Sequence, residues 1–237
     1  MHDFESYRAE MQRQTAATIT ADPDLARSVL DGVIEEARAH PGHGPLTALT
    51  ARIGAAVIAE FLNGGRLDDA EAAWKEVLRV LGDHPDVETR AQAGQCASNL
   101  IMGQLRGGQA RDALATFRTL VSLADPVPAL PELDTLLAGA AIRLIVVWLQ
   151  IRPPMEAYDF YIALRQAAQR APDDRNILHH RAKACLLLTV GFSRAGDPNF
   201  GRTLAAETRT LVDTDPDDPV LDDIRTKLDR LFSSDPQ

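Results

Sequence analysis

Small and large apolar residues alternate along this chain on one long period. Ala26, Ala70, Ala113, Ala157 and Gly201 stand on a single grid with steps of 44, 43, 44 and 44. Four positions after each comes Leu30, Trp74, Phe117 and Tyr161, with Ala205 as the exception. Three further on stand Val33, Val77, Leu120 and Leu164, and Thr208 breaks the rule. A stripe at i, i+4 and i+7 is one face of an amphipathic helix. The small residue at its start lets a neighbouring helix approach closely. Nine positions before the small residue lie Phe61, Gln104, Trp148 and Phe192. Six of the chain's twelve aromatics thus fall on two repeat positions, as expected if stacked helix pairs interlock.

Breakers divide the same chain. Pro41, Pro85, Pro126, Pro172 and Pro216 follow one another at steps of 44, 41, 46 and 44, and NGGR (63–66), RGGQ (106–109), IRPP (151–154) and AGDP (195–198) fall between them. The intervening segments are rich in Ala, Leu, Arg and Glu, have helical length, and show no strict alternation that would favour strands. The spacing predicts helices over 4–18, 23–39, 46–62, 68–81, 86–105, 110–123, 132–150, 155–170, 174–194 and 199–212. Asp22 before Pro23, Asp86 after Pro85 and Asp218 before Pro219 are N-terminal helix signals. These helices make five repeats, at about 3–41, 45–85, 86–126, 131–172 and 174–216. A last helix at 219–233 is expected to bury Val220, Ile224, Leu228 and Leu231 and to present charge to water as a cap. No linker interrupts the pattern, so one continuous domain over 1–237 is expected.

GRLDDAEAAW (65–74) and GGQARDALATF (107–117) carry a Gly that opens a turn, a small residue five later and an aromatic four after that. In this the chain resembles the tetratricopeptide repeat (TPR) family over about residues 3–216. The resemblance implies an all-α fold, a right-handed α-solenoid of about five antiparallel helix pairs with a C-terminal capping helix. The period of 43–44 departs from the family's 34, and Ile58, Ile101, Ile145 and Thr189 replace the family's early Gly. In the family, the first helices of the pairs line a concave groove. Carrying its inward positions over gives Arg52, Asn63, Gln95, Asn99, Met102, Arg106, Arg143, Val146, Gln150, Lys183, Val190 and Arg194. The family's clamp for the C-terminal peptides of heat-shock chaperones is absent, because its positions hold Ala55 and Ala59, Ser98 and Met102, or Ile142 and Val146.

Charge and composition narrow the partners. The net charge of −9 argues against nucleic acid or an anionic membrane. Cys96 and Cys185 are too few for a disulfide framework and read as buried reduced thiols of a cytoplasmic protein. MHDFESYRAEM lacks the basic-then-apolar order of a signal peptide. The most apolar stretch, LLAGAAIRLIVVWLQI (136–151), is short for a membrane span and carries Arg143. It reads as a buried central helix, or as a helix whose inner face floors a groove or a self-association surface.

Catalytic signatures such as HExxH, GxSxG, GxxxxGK and CxxC are missing, so no catalytic residue, cofactor or metal is assigned. His40 and His84 share a repeat position before the proline, with His43 close by, and fit helix C-termini better than a metal. His179 and His180 are about 100° apart on one helix and cannot face one metal together. Asp213, Asp215 and Asp217 mimic a calcium loop, but Asp218 stands where Gly is needed and Ile224 where Glu is needed. The favoured function is a non-catalytic scaffold that holds a peptide or protein segment in a mixed apolar and basic groove, with a second copy of the chain as a further candidate partner. The alternative is a regulatory solenoid that senses a small molecule or signal peptide.

Overall fold

Glycine turns set the spacing of the helices. The computed structural model describes residues 4–19, 22–81, 86–125 and 130–233. Among them the protein is all-α, with eleven helices and no strand: α1 (Phe4–Thr18), α2 (Pro23–Ala39), α3 (Gly44–Asn63), α4 (Leu67–Leu81), α5 (Val87–Arg106), α6 (Ala110–Ala124), α7 (Pro131–Ile151), α8 (Pro154–Arg170), α9 (Arg175–Arg194), α10 (Pro198–Val212) and α11 (Pro219–Ser233). After α3, α5 and α9 the chain turns at Gly65, Gly108 and Gly196, with φ of 72°, 74° and 85°. Positive φ is strained for any residue with a Cβ. In each turn the next N–H reaches back five residues: Arg66 to the Phe61 carbonyl at 2.7 Å, Gln109 to Gln104 at 2.8 Å and Asp197 to Phe192 at 3.0 Å. That bond satisfies a carbonyl the helix itself would leave unpaired. The α7–α8 turn has no glycine. Pro153 and Pro154 open α8 there, and the Arg152 N–H bonds the Trp148 carbonyl at 2.8 Å.

The repeat grid is the core. Ala26, Ala70, Ala113 and Ala157 have no exposure, nor do Val33, Val77, Leu120, Leu164 and Thr208, while Trp74 keeps 5% and Phe117 4%. Phe61, Gln104, Trp148 and Phe192 are buried as well. Gln104 remains polar because it is bonded on both sides: its amide donates to Glu71 Oε1 at 2.9 Å, and the Thr116 hydroxyl donates to its carbonyl at 3.0 Å. The fifth repeat, small at all three positions, brings α9 and α10 close together. A Cβ on Gly201 would lie 2.7 Å from Ser193 Oγ and 3.2 Å from the Thr189 carbonyl. The Thr208 hydroxyl is buried and donates to the Leu204 carbonyl at 2.8 Å.

Contacts divide the chain into two compact units, Met1–Leu133 and Asp134–Gln237. In the first, α3 packs against α2, α4 and α5; α1 packs on α2 and α3, α2 on α4, and α5 on α6. Arg90 is buried at the start of α5 and donates from Nε to the Leu123 carbonyl at 2.9 Å, where the α6 dipole is negative. In the second unit, α9 packs against α8 and α10, and α11 covers both α9 and α10. By length and composition α3 and α7 are each long and apolar enough to cross a bilayer, and most of each is buried inside the fold. The apolar run at 136–151 is thus part of a 21-residue helix, so shortness does not exclude a span.

Asp22, Asp86 and Asp218 are N-caps, as expected. His84, Pro85 and Pro126 lie outside the described residues. The cap helix buries Leu221, Ile224 and Leu228, whereas Val220 and Leu231 are 44% and 42% exposed. The expected stripe was therefore rotated. The cause is Asp218, whose Oδ1 accepts from the Val220 and Leu221 N–H groups while Oδ2 is held by His179 at 2.7 Å, which aims Leu221 at the core.

Two tests follow. Trp74→Ala and Phe117→Ala should each lose about 3–5 kcal/mol of stability in denaturant titration; a loss below about 1 kcal/mol at both would refute the burial register. A Cβ on Gly65 or Gly108 would meet nothing within 4 Å, so replacing either with Ala isolates backbone strain. Each should lose about 1–2 kcal/mol, and no loss would show that the turns relax freely.

Candidate functional site

The exposed positions of the apolar helices are where a partner could be met. α7 is buried on most sides, and the strip it leaves open is Arg143, Val146 and Gln150. On α9 the residues at steps of three and four are His180, Lys183, Leu187, Val190 and Arg194, half-buried or exposed. The two strips lie side by side. A Cβ on Gly139 would sit 4.0 Å from His180 Nε2, and one on Gly191 would sit 2.7 Å from Leu149 Cδ2. α7 and α9 therefore run in the same direction, offset by about one repeat. Arg143 comes level with His180 and Lys183, and Val146 with Leu187 and Val190.

The first unit carries the other expected residues. Arg52 is half-buried on α3 and already paired, with Nη2 2.7 Å from Glu88 Oε1. Gln95 donates to Asn99 at 2.9 Å, and Asn99 reaches the Ala55 carbonyl at 3.5 Å. Met102 is half-buried, and Asn63 and Arg106 are exposed at the C-terminal ends of α3 and α5. A Cβ on Gly103 would meet Leu62 Cδ2 at 2.2 Å, so α3 and α5 are closely apposed at that end.

Many of the chain's cations are paired with a carboxylate. Arg38 meets Glu76, Arg66 meets Asp24 and Asp69, Arg170 meets Asp134, and Arg181 meets Glu207. Among the described residues no carboxylate comes within 4.0 Å of Arg106, Arg143, Lys183 or Arg194. Arg143 instead folds back, donating from Nη1 to the Gly139 carbonyl at 2.8 Å. His180 feels the surplus charge: burial, then Arg143, Lys183 and His179, hold its imidazole below the usual value, with Asp174 opposing. The sequence pattern did not single out His180, because the comparison with its neighbour concerned a shared metal. The two rings do face apart, His179 toward Asp218 and His180 toward α7.

The remaining reactive groups are occupied. Cys96 and Cys185 are buried and unpaired with each other. Burial raises both thiols, that of Cys185 to about 12, and disfavours the nucleophilic thiolate. The Cys185 thiol lies 2.8 Å from the Tyr161 hydroxyl. Asp215 pairs with Arg175, and Asp213 lies 3.7 Å from Arg225. Among the described residues no three His, Cys, Asp or Glu gather as a metal site. His40 sits at the C-terminus of α2, with Nδ1 3.1 Å from the Glu36 carbonyl, and His43 accepts from the Leu46 N–H at the start of α3.

No protein-family model, curated protein or solved structure matches this chain. The fold defines it as an all-α protein, and the surface chemistry must carry the functional argument.

His180 yields a pH test. With its folded pKa below 6.5, the unfolded chain binds a proton that the folded chain refuses between the two values. Stability therefore falls as pH drops through that window and is regained above it. His180→Gln should flatten this part of the stability profile between about pH 7 and pH 5. An unchanged profile by denaturant titration would show that His180 is not strained by its neighbours.

Proposed function

We propose that this protein is a non-catalytic scaffold of TPR-like type, a right-handed α-solenoid of about five helix pairs closed by α11, which holds a peptide or protein segment on the open faces of its first helices. The observation that carries this reading is that Arg143, Lys183 and Arg194 gather on the adjoining strips of α7 and α9 and, among the described residues, meet no carboxylate. They stand on exposed positions of α7 and α9 in a chain with a net charge of −9; in the first unit, Arg106 is a separate candidate contact at the end of α5. Beside the α7 and α9 cations, Val146, Leu187 and Val190 supply apolar floor. Contacts desolvated on that floor would hold the segment, and the cations would steer its approach. Buried unpaired thiols suit a reducing compartment, so the cytoplasm is proposed as the location.

The test is capture of protein partners from the native host by the full chain, compared with Arg143→Ala/Lys183→Ala/Arg194→Ala and, separately, Arg106→Ala. The triple variant should lose the salt-sensitive part of the association and melt close to the wild type, because exposed charges contribute at most about 1 kcal/mol each. Equal retention and equal salt dependence would overturn the assignment of the face. A collapse in melting temperature would assign these residues to the fold instead.

A further inference from the structure

The seam between α7 and α9 is graded along its length. At one end Arg143, His180 and Lys183 converge from two helices, and Gly139 leaves the room in which the guanidinium folds: a Cβ there would come within 3.2 Å of Arg143 Nη1. One turn on, Val146 comes level with Leu187 and Val190. At the far end stand Gln150 and Arg194. From Lys183 to Arg194 the helical rise is about 16 Å, which an extended chain covers in about five residues.

Nearby carboxylates are committed elsewhere. Asp174, before α9, caps that helix through the Asn176 and Ile177 N–H groups and accepts from Thr135 at 2.7 Å. On α10, Glu207 is engaged by Arg181 and Arg165. Asp218, which caps α11, is engaged by His179 and Arg175. On α8, Arg165 and Arg170 pair with Glu207 and Asp134, and Lys183 and His179 are the charged neighbours of His180 on its own helix. The basic end of the seam thus holds three nitrogen groups, and Asp174, the carboxylate that His180 feels, is committed to the α9 cap and to Thr135. Arg143 spends one donor on Gly139 and keeps the rest of its fork for a carboxylate.

Resting on the scaffold reading above, we propose that this seam takes an extended acidic peptide segment, with one carboxylate seated among Arg143, His180 and Lys183, an apolar side chain on Val146, Leu187 and Val190, and a second carboxylate at Arg194, and that filling the first seat is coupled to protonation of His180. An anion beside the imidazole reverses the balance of charge around it. Bound peptide therefore raises the His180 pKa, and by linkage the peptide binds more tightly as pH falls.

The experiment follows the His180 imidazole by NMR in the full chain, at fixed ionic strength, with acetyl-Glu-Ala-Leu-Ala-Val-Glu-amide as probe and its Lys-for-Glu counterpart as control. Glutarate, a free dicarboxylate, is titrated in parallel. The acidic peptide should raise the His180 pKa and bind about five- to tenfold more tightly near pH 5.5 than near pH 7.5, one pKa unit being a factor of ten. His180→Gln should keep the binding seen at the higher pH and lose the dependence. Arg143→Gln/Lys183→Gln should weaken binding at both. Peptide binding that ignores pH, or a dependence that survives His180→Gln, would overturn the proton coupling and leave the scaffold reading standing. Glutarate binding as tightly as the peptide would overturn the segment as occupant. Absence of peptide binding, or equal binding of the basic control, would overturn the acidic seat, whereas the scaffold reading falls only if native partners ignore the triple variant.

Discussion

A single backbone hydrogen bond, repeated at three joints, ties the turns of this protein to its core. The N–H groups of Arg66, Gln109 and Asp197 each close on the carbonyl of the residue whose side chain plugs the centre of its repeat: Phe61, Gln104 and Phe192. The turn can close only with its glycine at positive φ. Once closed, it sets where the next helix starts relative to the buried plug. The small residue nine positions after the plug then falls against the preceding helix, and the apolar stripe follows. Chain reversal and core register are one constraint at these three joints; the α7–α8 joint keeps the same nine-residue spacing from Trp148 to Ala157 through Pro153 and Pro154 instead.

The same coupling explains the polar residues inside. Gln104 stands where other repeats have an aromatic and is tolerated because Glu71 and Thr116 satisfy its amide. Arg90 is carried into the first unit by the negative end of α6. Each is a polar group placed where a partner of fixed geometry already existed, so desolvation is offset by hydrogen bonding.

Much of the fold was legible in the sequence because its signals are local and repeated. Helix ends fell within two residues of their expected places, and the aspartate caps were read correctly, since a capping side chain acts on the N–H groups two and three residues on. The face presented by α11 was not legible. Val220 and Leu221 both fit an apolar stripe, and the choice between them depends on His179, 39 residues from Asp218. The candidate face was legible only as a pattern of exposed positions on first helices. That Arg52 is neutralised by Glu88 while Arg143 is not, and that His180 joins Arg143, depends on which side chains adjacent helices bring level. No local pattern encodes that.

The pair α9 and α10 is built differently from the pairs before it, and this limits which helix pairs could replace one another. Where α4 and α6 wedge a Trp or Phe against their neighbours, α10 offers Gly201, Ala205 and Thr208 and lies so close to α9 that a methyl group at 201 would collide with Ser193. The second and third repeats share a joint and a wedge, so either could have arisen by duplication of the other and could be exchanged for it. The fifth could not be copied into an interior position without leaving a hole where an aromatic belongs. Its small face instead leaves α9 and α10 close together under α11.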